Sequence, residues 1–291
     1  CKIYMCNKCE NYHSQLFQND HHQFKLDKDI KQIFTGFCQE ENHLDKLEYF
    51  CKTHNQLCCA SCIAKIKKKG KSQHIDCDVC SEESTRQAMQ EVLRQTDHID
   101  VVISNAGYGI SGSVEFTNIA DADHQMDVNF MGAVRFTQAV LPQLRKQRSG
   151  RIIYTSSVAA ILAVPYQAFY SASKAAINAL ALALANEVKP FGISVSVMMP
   201  GDVSTGFTDA RRKSTAGEEV YTGANKAITT MEKDERGGMS PRQMAQLFYH
   251  IATCRSPRPQ YAGGFSYRAL CFLERLLPQR FVNWIEYQVY S

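Results

Sequence analysis

No arginine occurs in the first 80 of the 291 residues, although twelve lysines do. No run reads as long and apolar enough to span a bilayer. The N-terminus carries no apolar signal-peptide core, so secretion is not expected and a cytoplasmic location is. No Gly-, Ser- or Pro-rich linker divides the chain. Neither sign of charge dominates: a net charge of +4 is too mild to imply nucleic acid or a membrane by itself. Disorder is excluded by composition, with 44% hydrophobic and 21% charged residues. The first residue is Cys1 rather than Met, which reads as a fragment.

What is present is unevenly spread. Ten of twelve Cys and six of nine His fall in the first 80 residues. Beyond them stand six Lys and fifteen Arg, and 25 of the 27 Ala. One domain rarely changes composition so abruptly. Two modules are expected, 1–80 and 81–291, meeting near Cys77–Cys80. The lysine-for-arginine shift also suits two coding sequences of different base composition.

The front module carries Cys38, His43, Cys51, His54, Cys59, Cys62, His74 and Cys77. Cys51, His54, Cys59 and Cys62 form the unit C-x2-H-x4-C-x2-C. Such short pairs suit zinc, because a tight turn aims two ligands at one tetrahedral ion. Eight ligands allow two ions. A polar stretch this short buries too little apolar surface to fold alone, so the metal would supply its stability. Disulfides are the competing reading; interleaved His and the lack of a secretory signal favour zinc.

These residues resemble a B-box zinc finger, with Glu48-Tyr-Phe-Cys51 close to that family's phrase. The first pair, Cys38 to His43, is wider than the usual spacing, and Cys77 stands where a His is common. Cys6, Cys9 and His13, with His21 or His22, resemble the back half of an earlier box over 1–22, the second box spanning 38–77. The resemblance implies a protein partner and no catalysis. The lysines at 65, 67, 68, 69 and 71 read as a solvated loop or an attraction for an acidic partner.

The rear module alternates strand and helix. Helices are expected over 84–95, 126–145 and 168–188, the first with Ser81 and Ser84 in its N-cap region. Strands are expected over 99–103, 151–155 and 193–198. This order argues for an α/β fold with a parallel sheet.

Tyr170 and Lys174 lie at i and i+4, on one helix face, with Ser157 thirteen residues earlier. A free tyrosine titrates at about 10, and a nearby ammonium lowers that value. A phenol so tuned passes a proton to or from an alcohol oxygen. Ser157 can hydrogen-bond the same oxygen.

Asn105-Ala-Gly107, Asn129, Ser157, Tyr170, Lys174 and Pro200-Gly201 stand in the order and spacing of short-chain dehydrogenases/reductases, a resemblance covering about 210 residues. It implies a Rossmann-like sheet, NAD or NADP as cofactor, and a small hydrophobic alcohol or ketone as substrate. It makes Tyr170 the general acid/base, Lys174 the group that lowers its pKa and holds the nicotinamide ribose, and Ser157 the orienter of the carbonyl. It gives Asn129 a water-linked proton relay. Asn105, Ala106 and Gly107 would line the adenosine side, and Pro200, Gly201, Val203 and Thr205 the nicotinamide.

Gly107-Tyr-Gly109-Ile-Ser-Gly112 matches a dinucleotide phosphate loop, but no helix pattern opens after it and it overlaps the Asn-Ala-Gly motif, so that reading is set aside. The family's own Gly-rich turn and first two βα units have no counterpart in residues 1–80. Poor or impaired activity is therefore expected, together with an exposed sheet edge. Asp78-Val79 also resembles the end of a dehydrogenase strand, as at a junction of two genes. The aromatic tail, 255–291, fits a cap over a hydrophobic pocket, a dimer face in a homo-oligomer, or core. Against the oxidoreductase stand two alternatives: a zinc-dependent interaction protein with an inactive scaffold, and an artefactual join.

Overall fold

The computed structural model describes residues 74–290, together with the backbone of two strands nearer the N-terminus. The chain divides into two units, Cys1–Ile75 and Asp76–Ser291. In the first, β1 (Leu47–Cys51) and β2 (Gln56–Cys59) pair as an antiparallel hairpin. The side chains of Cys38, His43, Cys51, His54, Cys59 and Cys62 lie outside the described residues. Cys77 is exposed and carries a free thiol, and it falls in the second unit, so the expected 38–77 box crosses the division. Among the described residues, no group of three or more His, Cys, Asp or Glu is placed to hold a metal.

The second unit opens with a turn, not the strand end expected at Asp78-Val79. Asp78 Oδ1 accepts from the Cys80 amide at 2.9 Å, and the Val79 carbonyl accepts from Arg135 at 3.1 Å. Helix α1 (Glu82–Leu93) follows, its N-terminus capped by Ser81, which accepts from the Ser84 amide at 3.1 Å. The capping hydroxyl satisfies one of the first-turn amides that have no partner within the helix. Strand β3 (Val101–Ser104) is next, then the two-residue β4 (Ile110–Ser111).

The helix expected from 126 starts earlier and is interrupted. Asn118 caps α2 (Ile119–Met126); a π-helical turn, Asp127–Met131, then joins it to α3 (Gly132–Gln147). Strand β5 (Gly150–Thr155), α4 (Ala168–Glu187) and β6 (Ile193–Met199) lie within a residue or so of expectation. Their apolar runs carried the pattern.

A parallel four-stranded sheet has the order β3-β5-β6-β8, with β8 at Gln260–Ala262. Side chains alternate across it. Ile152 and Tyr154 enter a cluster with Leu144 of α3 and with Ile177 and Leu184 of α4. On β5, Arg151 donates to the Ile251 carbonyl of α6 (Pro241–Thr253). Helices thus flank the strands, and β6 is buried along nearly its whole length, as parallel strands are.

By length and composition, α4 is also apolar enough to cross a membrane, against the expectation that no run would be. It carries Tyr170 and Lys174 and buries Ile177, Ala181 and Leu184. A buried core helix has the same composition. Among the described residues, β3 pairs with β5 alone, so one side of the sheet ends there. Later elements had no sequence expectation: β7 (Arg212–Lys213), beside β4, then α5 (Ala224–Arg236), α6, α7 (Phe265–Glu274) and α8 (Gln279–Tyr290).

Candidate active site

Three segments follow the carboxyl ends of β3, β5 and β6: Asn105-Ala-Gly107, Ser156-Ser157 and Pro200-Gly201. In open parallel sheets this edge is where ligands bind. No phosphate loop forms at Gly107–Gly112: Ile110-Ser111 is strand, and the next helix begins only at Ile119.

Tyr170 and Lys174 sit one turn apart on α4, and both are buried. Burial pushes the Tyr170 phenol up to about 12, and the neighbouring Ser157 hydroxyl opposes the rise. The depression expected from the ammonium is therefore not found. Lys174 Nζ stands 5.7 Å from the Tyr170 ring centre and donates to the Thr155 carbonyl at 3.0 Å. Burial in turn brings Lys174 down to about 8. Desolvation outweighs charge attraction for both groups, and in each it favours the neutral form.

Asn129 lies in the π turn, a distortion that recurs at functional sites. Its Oδ1 accepts from the Tyr108 amide at 2.9 Å, while its Nδ2 donates to the Tyr108 carbonyl and to Ser173 Oγ, each at 3.0 Å. These bonds tie the loop after β3 to α4. A Cβ on Gly107 would stand 3.1 Å from both Asn129 Oδ1 and Lys174 Nζ, so the bare backbone leaves room for the two side chains. Asn105 and Gly107 are half-buried and Ala106 is exposed.

Past β6, the Tyr267 ring of α7 lies against Gly201, and its hydroxyl donates to Asp202. Val203 bridges to Met239, and Thr205 Oγ1 accepts from the Phe207 amide at 3.2 Å. Pro200, Gly201, Val203 and Thr205 thus form one loop, and α7 covers part of it. Thr155 Oγ1 is buried without a protein partner, leaving an unpaired acceptor or donor at this strand end.

Sequence reasoning missed Phe207, Arg211 and Glu235. Phe207 packs 5.8 Å from Tyr170, centre to centre, and the Arg211 guanidinium lies 5.8 Å from the Phe207 ring. Arg211 is buried and paired with Glu235, which also accepts from Thr208 at 2.7 Å. No periodicity marks these residues, because they lie in a loop and on a late helix. A cavity of about 330 Å³ is lined by Ser113, Val114, Pro165, Tyr166, Tyr221, Tyr287 and Tyr290, and by none of Ser157, Tyr170 and Lys174. Tyr166 holds a left-handed backbone, φ 61°, and such strain gathers at ligand-binding sites.

Fold and sequence together are those of a Rossmann-like oxidoreductase. The chain belongs to the short chain dehydrogenase family, which it matches over residues 47–216. That span opens at Leu47, inside the stretch read as the second zinc box. The 3-ketodihydrosphingosine reductase of Bacteroides thetaiotaomicron is 40% identical over 191 residues, covering 65% of this chain and 71% of the relative. A short-chain dehydrogenase from Streptomyces avermitilis superposes with a TM-score of 0.64 at 25% identity, covering 72% of this chain and 78% of that one. A xylitol dehydrogenase with bound NAD+ superposes with a TM-score of 0.56 at 25% identity, covering 65% and 77%.

Proposed function

We propose that the chain interconverts a hydrophobic secondary alcohol and its ketone, with NAD or NADP as the hydride carrier. The observation that carries this reading is the burial of Tyr170 and Lys174 one turn apart on α4, with Lys174 Nζ 5.7 Å from the Tyr170 ring centre and Ser157 beside the phenol. Ser157 is placed to orient a substrate oxygen against the phenol, and Tyr170 to give or take its proton. Lys174 and the Asn105–Gly107 segment are the groups to hold the ribose and adenosine of the dinucleotide, since the Gly107 backbone lies against Lys174 Nζ at the carboxyl end of the sheet. The unpaired Thr155 Oγ1 offers one further polar contact there. When bound, the nicotinamide supplies or accepts the hydride. Asn129 positions Tyr108 and Ser173 through its three bonds.

A hydrophobic substrate is supported by Phe207, whose ring packs 5.8 Å from that of Tyr170. The likeness to a reductase of 3-ketodihydrosphingosine favours a ketone on a long alkyl chain. The test is titration of the purified full chain with NADH and NADPH, followed by turnover of long-chain ketones. Micromolar binding and turnover that Tyr170→Phe lowers by about 10²-fold or more support the reading. No binding below millimolar cofactor, or turnover that survives Tyr170→Phe, overturns it.

For the front of the chain, the spacing of Cys51, His54, Cys59 and Cys62 supports a separate reading, a zinc-stabilised protein-interaction module. Elemental analysis giving less than one zinc per chain sinks that reading without touching the first.

A further inference from the structure

The two C-terminal helices, α7 and α8, leave most of their apolar side chains in solvent. Cys271 is the buried residue of α7, and Val282 that of α8. Along α7 and the turn after it, Phe265, Phe272 and Leu276 are 82%, 63% and 65% exposed. Their spacing, i, i+7 and i+11, sets them on one helical stripe. Along α8, Phe281, Trp284, Ile285 and Val289 form a second stripe, each at least 39% exposed. Phe281 and Trp284 stack on each other at 5.8 Å rather than on the body of the fold. Apolar exposure on this scale marks an interaction surface.

The polar residues say what kind. Arg268, Arg275 and Arg280 are exposed, whereas the only acids of α7 and α8, Glu274 and Glu286, are half-buried. Exposed aromatic rings, with Trp and Tyr among them, bordered by arginines are the make-up of an element lying in the interface of an anionic bilayer.

Helix α7 also reaches the candidate site, and α8 reaches the cavity. Tyr267 hydrogen-bonds Asp202 beside Gly201, while Tyr287 and Tyr290 form one wall of the cavity. Val114, which lines the same cavity, is 60% exposed.

We propose that helices α7 and α8 dock on the surface of an anionic lipid bilayer, bringing the cavity walled by Tyr287 and Tyr290 to the lipid. The docking does not depend on the catalytic reading and is measured without cofactor or substrate.

Trp284 is the only tryptophan of the chain and so reports on this face directly. The full chain is mixed with vesicles of phosphatidylcholine and phosphatidylserine. Sedimentation with the vesicles, a blue shift of Trp284 emission and its quenching by acyl-chain-brominated lipid are expected. Phe272→Ser and Phe281→Ser, read by sedimentation, should each lower vesicle affinity about tenfold, since each removes one buried ring. Arg280→Glu should weaken binding to vesicles with phosphatidylserine and leave pure phosphatidylcholine unchanged. Failure to sediment with anionic vesicles overturns the proposal. So does a lipid-free dimer in which Trp284 is shielded from acrylamide and stays unquenched on vesicles, because the face then belongs to a second copy.

Discussion

The Lys174 ammonium donates to the Thr155 carbonyl at 3.0 Å, so it is bound to the end of β5 rather than to the phenol one turn before it on α4. Strand and helix are held together at the point where Ser157 begins its approach to Tyr170.

This burial makes stability depend on pH. Lys174 falls from 10.5 to about 8 in the fold, so the unfolded chain holds the extra proton between those values. The resulting destabilisation is complete below pH about 8, is relieved as pH rises, and is gone above 10.5. Lys174→Met removes it. The parent should gain roughly 3 kcal/mol on that variant between pH 7 and 10.5, a tenfold change in an acid dissociation constant being worth about 1.4 kcal/mol. Tyr170 titrates in both proteins and drops out of the difference. Urea unfolding at several pH values measures this, and a flat difference would show that the amine is not desolvated.

Gly107→Ala places a methyl 3.1 Å from two buried polar atoms, Asn129 Oδ1 and Lys174 Nζ. One of them must shift, and either shift strains a bond to Tyr108 or to Thr155. A loss of about 1–3 kcal/mol is expected in denaturant midpoints. Ala106→Ser, at the exposed neighbour, should be near neutral. Equal effects at the two positions would refute the crowding at Gly107.

Arg211 and Glu235 form an ion pair with the arginine side chain out of solvent. Arg211→Met strands the carboxylate and should cost about 3 kcal/mol or more, whereas the Arg211→Met/Glu235→Leu double variant should recover much of it. A double variant no better than the single one would mean that the two charges act independently. Phe207 stands between this pair and Tyr170, so the single variant should also perturb the pH profile of any turnover.

The sheet was legible because β3, β5 and β6 are apolar runs of buried, mostly β-branched residues, and α4 is a long Ala-rich helix. The site was legible as a set of types and spacings: Ser157, Tyr170 and Lys174 do converge. What spacing could not give was the balance of forces. Desolvation, not the ammonium, sets the Tyr170 titration, and desolvation depends on everything packed around the ring. In the second half of the fold, α7 and α8 bury one residue each and so carry little core pattern, whereas α5 does carry one, with Ala224, Ala227, Ile228 and Met231 buried at i, i+3, i+4 and i+7, and it was passed over. Arg211 looked like any basic residue in a loop until Glu235, 24 positions later, met it.

The π turn at Asp127–Met131 inserts one residue into what would otherwise be a continuous helix. A residue added to a helix turns everything beyond it by about 100°. The facing of α2 and that of α3 are therefore set separately, each by its own neighbours, with the insertion absorbing the mismatch. Deleting Val128 would restore a regular helix and swing one half out of phase with the other, so that Asn129 could not meet Tyr108 while Gly132 still met Val79. The chain tolerates a local defect here because it allows two contacts that a perfect helix would make mutually exclusive.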